Sequence, residues 1–185
     1  TRRYGNFLML STPTPTLDET LANQTFDALL WALSRPGKIT QLPSAGEAVI
    51  VDALLDRECQ VFTDDPTLIP TIMRTGAQIS EINDADHVFC GKNIELKKLR
   101  QIACGSDLYP DDGSTVIVRG KIGQGDMVAL TGPGVAGKER VQINGLPKGF
   151  WDVRRDLIRY PMGFELFILD EASLIGIPRS TEIEV

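Results

Sequence analysis

The chain is poor in the side chains that most often carry chemistry: one histidine and three cysteines stand in 185 residues. A single histidine, His87, excludes a histidine-rich metal site and forces any Ser-His-Asp arrangement to be built around it alone. In the strand-like "DADHVFC" it reads as a structural residue. Cys59, Cys90 and Cys104 are odd in number and lack C-x-x-C spacing or a neighbouring histidine, so they signal neither a disulfide framework nor a zinc site. Buried thiols are the expectation. No apolar run approaches the roughly 20 residues of a membrane span, and "FLML" at 7–10 is too short for the core of a signal peptide. A cytoplasmic protein is therefore expected. An excess of basic residues is also missing: 19 Lys and Arg against 25 Asp and Glu give a net charge of −6. Without a basic block, nonspecific binding to nucleic acid or to anionic membrane is set aside. Small molecules or protein partners fit better.

What is present is enough apolar residue, 42%, for one substantial core and one domain. The alternating prolines of "STPTPT" favour extended chain, so residues 1–16 read as a flexible entry segment and 17–185 as a single α/β domain. Leu17, Leu21, Phe26, Leu29, Leu30 and Leu33 recur at helical spacing before a stop at Pro36 and Gly37. "AGEAVIVDALLD" reads as a helix, although Val49 to Val51 would suit a strand equally, and "CQVFT" reads as a strand. Asp65 is placed to cap a helix with Pro66 at its first position, running to Gly76. "ADHVFC" predicts a strand, and "IELKKLRQIACG" an amphipathic helix closing on Gly105 with Lys97, Lys98 and Arg100 on a solvated face.

The second half turns β-rich. "STVIVRG", "MVALTG" and "ERVQIN" suggest adjacent strands joined by tight turns, followed by a helix over 148–159 and a hairpin of "FELFILD" with "LIGIPR". "TVIV" and "FELFIL" are apolar on consecutive positions, as strands buried on both faces require. A mixed sheet covered by helices is the architecture these elements predict.

Two loops hold the candidate chemistry. "GPGVAGKE" (132–139) fits the G-x-x-x-x-G-K frame of a phosphate loop, but Glu139 replaces the magnesium-binding hydroxyl and would repel phosphate. The following "ERVQIN" looks like a strand and offers no helix N-terminus. A rigid bend made by Pro133 between Gly132 and Gly134 is the simpler reading, with Lys138 and Arg140 as candidate contacts if the loop borders a cleft. In "IPRST", Arg179, Ser180 and Thr181 could hold a phosphate or carboxylate from a loop after a strand. The alternative is a structural arginine paired with an acid. The candidate ligand set is thus Gly132, Gly134, Arg140, Arg179, Ser180 and Thr181. No catalytic group, metal ligand or cofactor-binding residue is identified, and Asp84, Asp86, Asp111 and Asp112 read as turn residues.

Four segments together resemble the H subunit of the bacterial carbon-phosphorus lyase system, the PhnH family. They are "F-x-x-L-L-x-A-L-S-R-P-G" from Phe26 to Gly37, "LTGPGV" from Leu130 to Val135, "YPMGFEL" from Tyr160 to Leu166 and "IPRSTEIEV" from Ile177 to Val185. Asp27 departs from the arginine expected there, and Glu182 from a basic residue. The resemblance implies a three-layer α/β/α fold with a mixed sheet, like a truncated large domain of the pyridoxal-phosphate (PLP) transferases but without the cofactor. It implies a homodimer working with the G, I and J subunits of a core complex, and functionally with the L subunit. Its implied role is accessory: supporting formation of a ribose alkylphosphonate triphosphate from a nucleoside triphosphate and an alkylphosphonate. The competing expectation is a small stand-alone enzyme or binding protein for a phosphorylated metabolite, using the 132–140 loop and Arg179.

Overall fold

The computed structural model describes residues 13–91 and 94–185. Most of the 1–16 entry segment lies outside the described residues. Helix α1 (Leu17–Ser34) starts at Thr16, whose hydroxyl accepts from the Glu19 amide at 3.2 Å while the Glu19 carboxylate accepts from the Thr16 amide at 2.7 Å. This reciprocal cap satisfies two donors that a helix start leaves open. The helix ends before Pro36, as the sequence predicts.

The buried stripe of α1 differs from the leucine pattern. Thr25, Ala28, Leu29 and Ala32 face inward, whereas Leu17, Phe26 and Leu30 are 73%, 46% and 52% exposed. The reason is distance. A methyl group built on Gly176 would lie 2.5 Å from the carbonyl carbon of Ala32 and 2.7 Å from its oxygen. Helix and sheet touch backbone to backbone, so only small side chains fit at the contact and the bulky ones are turned to its flank.

After α1 come β1 (Thr40–Gln41), α2 (Ala48–Leu54) and β2 (Gln60–Thr63). Asp65 then caps a short 3-10 turn, accepting from the Thr67 amide at 2.9 Å, with Pro66 at its first position. That turn runs into α3 (Ile69–Thr75), which ends on Gly76 at φ +87°, a left-handed C-cap. Strands β3 (Gln78–Ile79) and β4 (His87–Cys90) follow, then α4 (Leu96–Leu99). The amphipathic helix expected as far as Gly105 stops here, where the Gln101 and Ile102 amides bond three residues back, to Lys98 and Leu99, instead of four. Ala103 accepts from the Ser114 amide at 2.9 Å and Cys104 from the Gly163 amide at 2.8 Å.

The remaining elements are β5 (Thr115–Arg119), β6 (Lys121–Thr131), β7 (Glu139–Asn144), α5 (Phe150–Leu157), β8 (Glu165–Asp170), β9 (Ser173–Ile177) and β10 (Glu182–Glu184). Seven strands form the central sheet in the order β1-β9-β8-β5-β4-β2-β3. From β8 to β3 neighbouring strands are parallel, while β9 runs antiparallel to β8 and β1 to β9. Val116, Ile117 and Val118 of β5 and Leu166 to Leu169 of β8 are all buried, as strands covered on both faces must be.

Alternation along these strands divides the core. Phe89, Ile117, Phe167 and Leu169 pack under α1, α2 and α3. Val88, Val116, Val118, Leu166 and Ile168 pack on the other side against Leu99, Phe150 and Val153, and against Val128, Leu130, Val141 and Ile143. That second layer corrects the expected α/β/α arrangement. It combines α4 and α5 with a three-stranded antiparallel sheet ordered β10-β6-β7. Of the expected neighbours, "MVALTG" and "ERVQIN" do pair, as β6 with β7, but β5 does not lie beside β6: it pairs with β4 and β8, and the other partner of β6 is β10. The chain changes sheets at Gly120, where a side chain would strike Ile168 Cγ2 at 2.8 Å.

Candidate functional site

The four sequence segments that stood out separately meet at one junction. Gly132 packs on the Ser180 carbonyl, 2.7 Å from where its Cβ would lie, and a Cβ on Gly134 would strike the Ser34 carbonyl and sit 2.9 Å from Pro36. Both glycines have positive φ, so sterics and conformation each demand glycine there. Glu139 of β7, which occupies the hydroxyl position of the phosphate-loop frame, binds Lys38 at 2.7 Å, and Lys138 binds Glu184 at 2.6 Å. The loop is a hairpin connection between β6 and β7, with no helix behind it.

Arg179 sits inside this junction with its side chain 15% exposed. Its Nε donates to Glu165 Oε1 at 2.5 Å, its amide to Glu165 Oε2 at 2.9 Å, and its terminal nitrogen to the Pro110 carbonyl. The pairing with an acid is the arrangement found. Ser180 abuts Gly132, Thr181 is buried, and Arg140 is exposed on β7 away from them, opposite Ala129. The junction thus brings Gly132, Ser180 and Thr181 together and leaves Arg140 out.

A residue outside every sequence motif holds the 178–181 turn in place. Arg154 of α5, 2% exposed, donates to the Pro178 carbonyl at 2.9 Å and the Thr181 carbonyl at 3.2 Å. Burial lowers its pKa to about 10, and its Nε and the Thr181 hydroxyl have no partner among the described residues. Only its position on the inward face of a short helix could have marked it.

A second concavity lies at the carboxyl ends of the parallel strands, where open α/β sheets present ligand crevices. It encloses about 540 Å³ between the ends of β5 and β8 and the Ala45–Glu47 turn. Arg119 at the end of β5 is gripped by both oxygens of Glu47, which is 4% exposed, and also meets Asp65 at 3.1 Å. The Glu47 hydrogen bond is the largest influence raising Arg119, and the hydrogen bonds from Thr67 are the largest lowering Asp65. Lys121 binds Asp170 at 2.6 Å, and Asp170 also accepts from the Ile122 amide at 3.1 Å. Each cation on the wall is neutralised by a carboxylate, so the cleft offers little to a phosphate.

The conventional reactive groups lie elsewhere. His87 opens β4, at the amino ends of the parallel strands and the opposite end of the sheet; burial lowers its pKa against the upward pull of Asp86 and Asp56. Burial pushes the Cys90 thiol up to about 12 and raises Cys59 and Cys104. Such thiols are poor nucleophiles. Among the described residues no group of three or more His, Cys, Asp and Glu side chains could hold a metal ion, and no helix is long and apolar enough to cross a membrane.

Comparison with known proteins gives this geometry its context. The family model for "Bacterial phosphonate metabolism protein (PhnH)" matches residues 17–184. The chain belongs to the PhnH family. A curated relative, the "Putative C-P lyase subunit protein HtxG" of Stutzerimonas stutzeri, is 26% identical over 166 residues, covering 86% of this chain and 84% of its own length. Phosphonate metabolism is what this membership supports. The segments that carry the family likeness are those packed at the junction.

Proposed function

We propose that this PhnH-family chain is an accessory subunit of the carbon-phosphorus lyase system. It supports the step in which an alkylphosphonate replaces the base of a nucleoside triphosphate, forming a ribose alkylphosphonate triphosphate and releasing the base, without performing that chemistry alone. The reading is carried by one observation: the family's segments are used to build a packed junction, and the arginine among them, Arg179, is turned onto Glu165. A guanidinium held by a carboxylate and a backbone carbonyl has few donors left for a ligand. The paired cations of the 540 Å³ cleft argue the same way.

In this role the chain contributes shape and docking surface to a cytoplasmic assembly with G, I and J subunits, acts beside an L subunit, and pairs with a second copy of itself. Likeness to PLP transferases would then concern architecture only. The competing role as a stand-alone binder of a phosphorylated metabolite would require Arg179 to leave Glu165.

The test is reconstitution. With G, I and L subunits, nucleoside triphosphate and an alkylphosphonate, phosphorus NMR should report the ribose product when this chain is added and little or none when it is omitted. Product formed by the isolated chain would refute the accessory role. Equal product with and without the chain would remove it from this step.

A further inference from the structure

The two sheets end side by side, and their edges differ in how they are closed. The central sheet terminates in β1 and β3, two residues each, and β10 has three. Very short edge strands are a common way of denying a template to other chains. β7 is the exception: six residues long, it is the last strand of the small sheet, and it contains no proline. Glu139 to Gln142 pair only with β6 residues 127–130, which leaves their outer edge without a strand partner, whereas Ile143 pairs with both Asp126 and Ile122 and Asn144 with Lys121.

A groove of about 450 Å³ runs beside that edge. One wall is the continuous stretch Glu139 to Gln142; the other is Gly37 to Ile39, just before the β1 edge of the central sheet. Ile122, Val141 and Ile175 provide an apolar lining, while Ile39 and Met127 stand at the rim, 57% and 50% exposed. The Lys38–Glu139 ion pair spans the groove at one end. Glu139 neutralises Lys38, so Arg140 is the one cation of the lining left without a carboxylate among the groove residues, on a chain whose net charge is −6.

We infer that β7 is a strand-addition site, and that its occupant is an extended segment of another subunit of the carbon-phosphorus lyase system carrying apolar residues and a carboxylate. The inference rests on the subunit reading above and names the surface that serves it. An added strand would complete the open β7 edge with backbone hydrogen bonds, lay an apolar side chain on Ile122 and Met127, and set its carboxylate against Arg140. Charge selects the occupant. If β7 instead paired with β7 of a second copy, the two Arg140 side chains would share one face of the seam with no carboxylate of β7 beside them, since Glu139 lies on the other face and binds Lys38, and like charges at a strand pair oppose pairing.

Hydrogen exchange read by mass spectrometry on the full chain, alone and co-produced with the other subunits of its own system, tests this. Amides of residues 139–142 should exchange at least about tenfold more slowly in the assembly. Arg140→Glu and Ile39→Asp change exposed side chains, so they should leave thermal unfolding of the isolated chain in place. Each should weaken association about tenfold. An assembly that forms with β7 exchange unchanged overturns the strand-addition site and leaves the subunit reading standing. Failure of any assembly to form removes the subunit reading and this inference with it. Protection of β7 in the isolated chain that rises with its own concentration assigns the edge to a second copy and overturns the occupant named here.

Discussion

Gly176→Ala isolates the feature on which the placement of α1 depends. Gly176 does not need a left-handed backbone, so the change adds one methyl group and nothing else. That methyl would lie 2.5 Å from Ala32 C, 2.7 Å from Ala32 O and 2.7 Å from Leu33 N, all main-chain atoms of a helix. No rotamer change relieves such contacts, so α1 must retreat from β9 by roughly 1 Å to reach ordinary van der Waals distance. A gap of that size forfeits a quarter to a half of each dispersion contact along the seam. The seam includes Ala28, Leu29 and Ala32. With the accompanying strain, the cost is about 2–3 kcal/mol. At a urea dependence of about 2–3 kcal/mol per molar, the unfolding midpoint should fall by about 1 M. Gly137→Ala is the control, because Gly137 has φ +77° with open space around its Cβ. There only backbone strain is added, about 1 kcal/mol. If Gly176→Ala costs no more than Gly137→Ala, the close helix–sheet contact is wrong, and with it the reason given for the exposure of Phe26 and Leu30.

Three further outcomes concern buried charge, buried thiols and the single histidine. Glu165→Ala should destabilise the chain by about 2–3 kcal/mol by stranding the largely buried Arg179 guanidinium; if 10 mM phosphate raises the melting temperature of the wild type but not of Arg179→Ala, a ligand role for that arginine replaces the structural one. The three thiols should react with a thiol reagent at pH 8 far more slowly in the native chain than in denaturant, with Cys90 slowest because burial holds it near 12; prompt native labelling of Cys90 would contradict its packing. His87 has a lowered pKa in the folded chain, so the unfolded chain binds its proton first, and stability present above about pH 6.5 is lost as pH falls below that value. As the only histidine, it should account for most of that loss down to about pH 5, and His87→Gln should flatten the profile there; an unchanged slope would refute the assignment.

Elements with local signals could be read from the sequence. Asp65-Pro66 caps and opens a helical turn because a carboxylate acceptor and a fixed φ act within three residues. The consecutive apolar runs of β5 and β8 identified central strands because burial on both faces leaves no polar position. What failed was non-local. The leucines of α1 imply an inward face that only the absence of a side chain at Gly176, over 140 residues away, displaces. The helix expected to continue to Gly105 gives way to tertiary pairing, in which Ala103 and Cys104 accept from the amides of Ser114 and Gly163, distant in the chain. β6 and β7 were legible as strands, but their membership of a separate sheet depends on a close approach at Gly120. At the junction, "IPRST" pointed to an important arginine; which partner it meets depends on Glu165, and the buried cation that fixes the turn, Arg154, lies on a helix with no motif of its own.

The junction and the β7 groove are mechanically one device. Gly134 is seated on Ser34 and Pro36, and Gly37, at φ +84°, is seated on Leu130 and Glu139, with its Cβ position only 2.8 Å from Leu130 Cδ1 and 2.9 Å from Glu139 Cγ. These contacts fix the 37–39 wall relative to β7, and the Lys38–Glu139 pair tethers it at one end. Groove width is therefore set by residues of the family segments that need touch no partner. A loop that resembles a phosphate cradle in one dimension acts in three as a spacer between two sheet edges. Gly132 and Gly134 are required because backbone passes against backbone, the same physical demand that a phosphate would make on them, and this is why the sequence frame alone cannot distinguish the two uses.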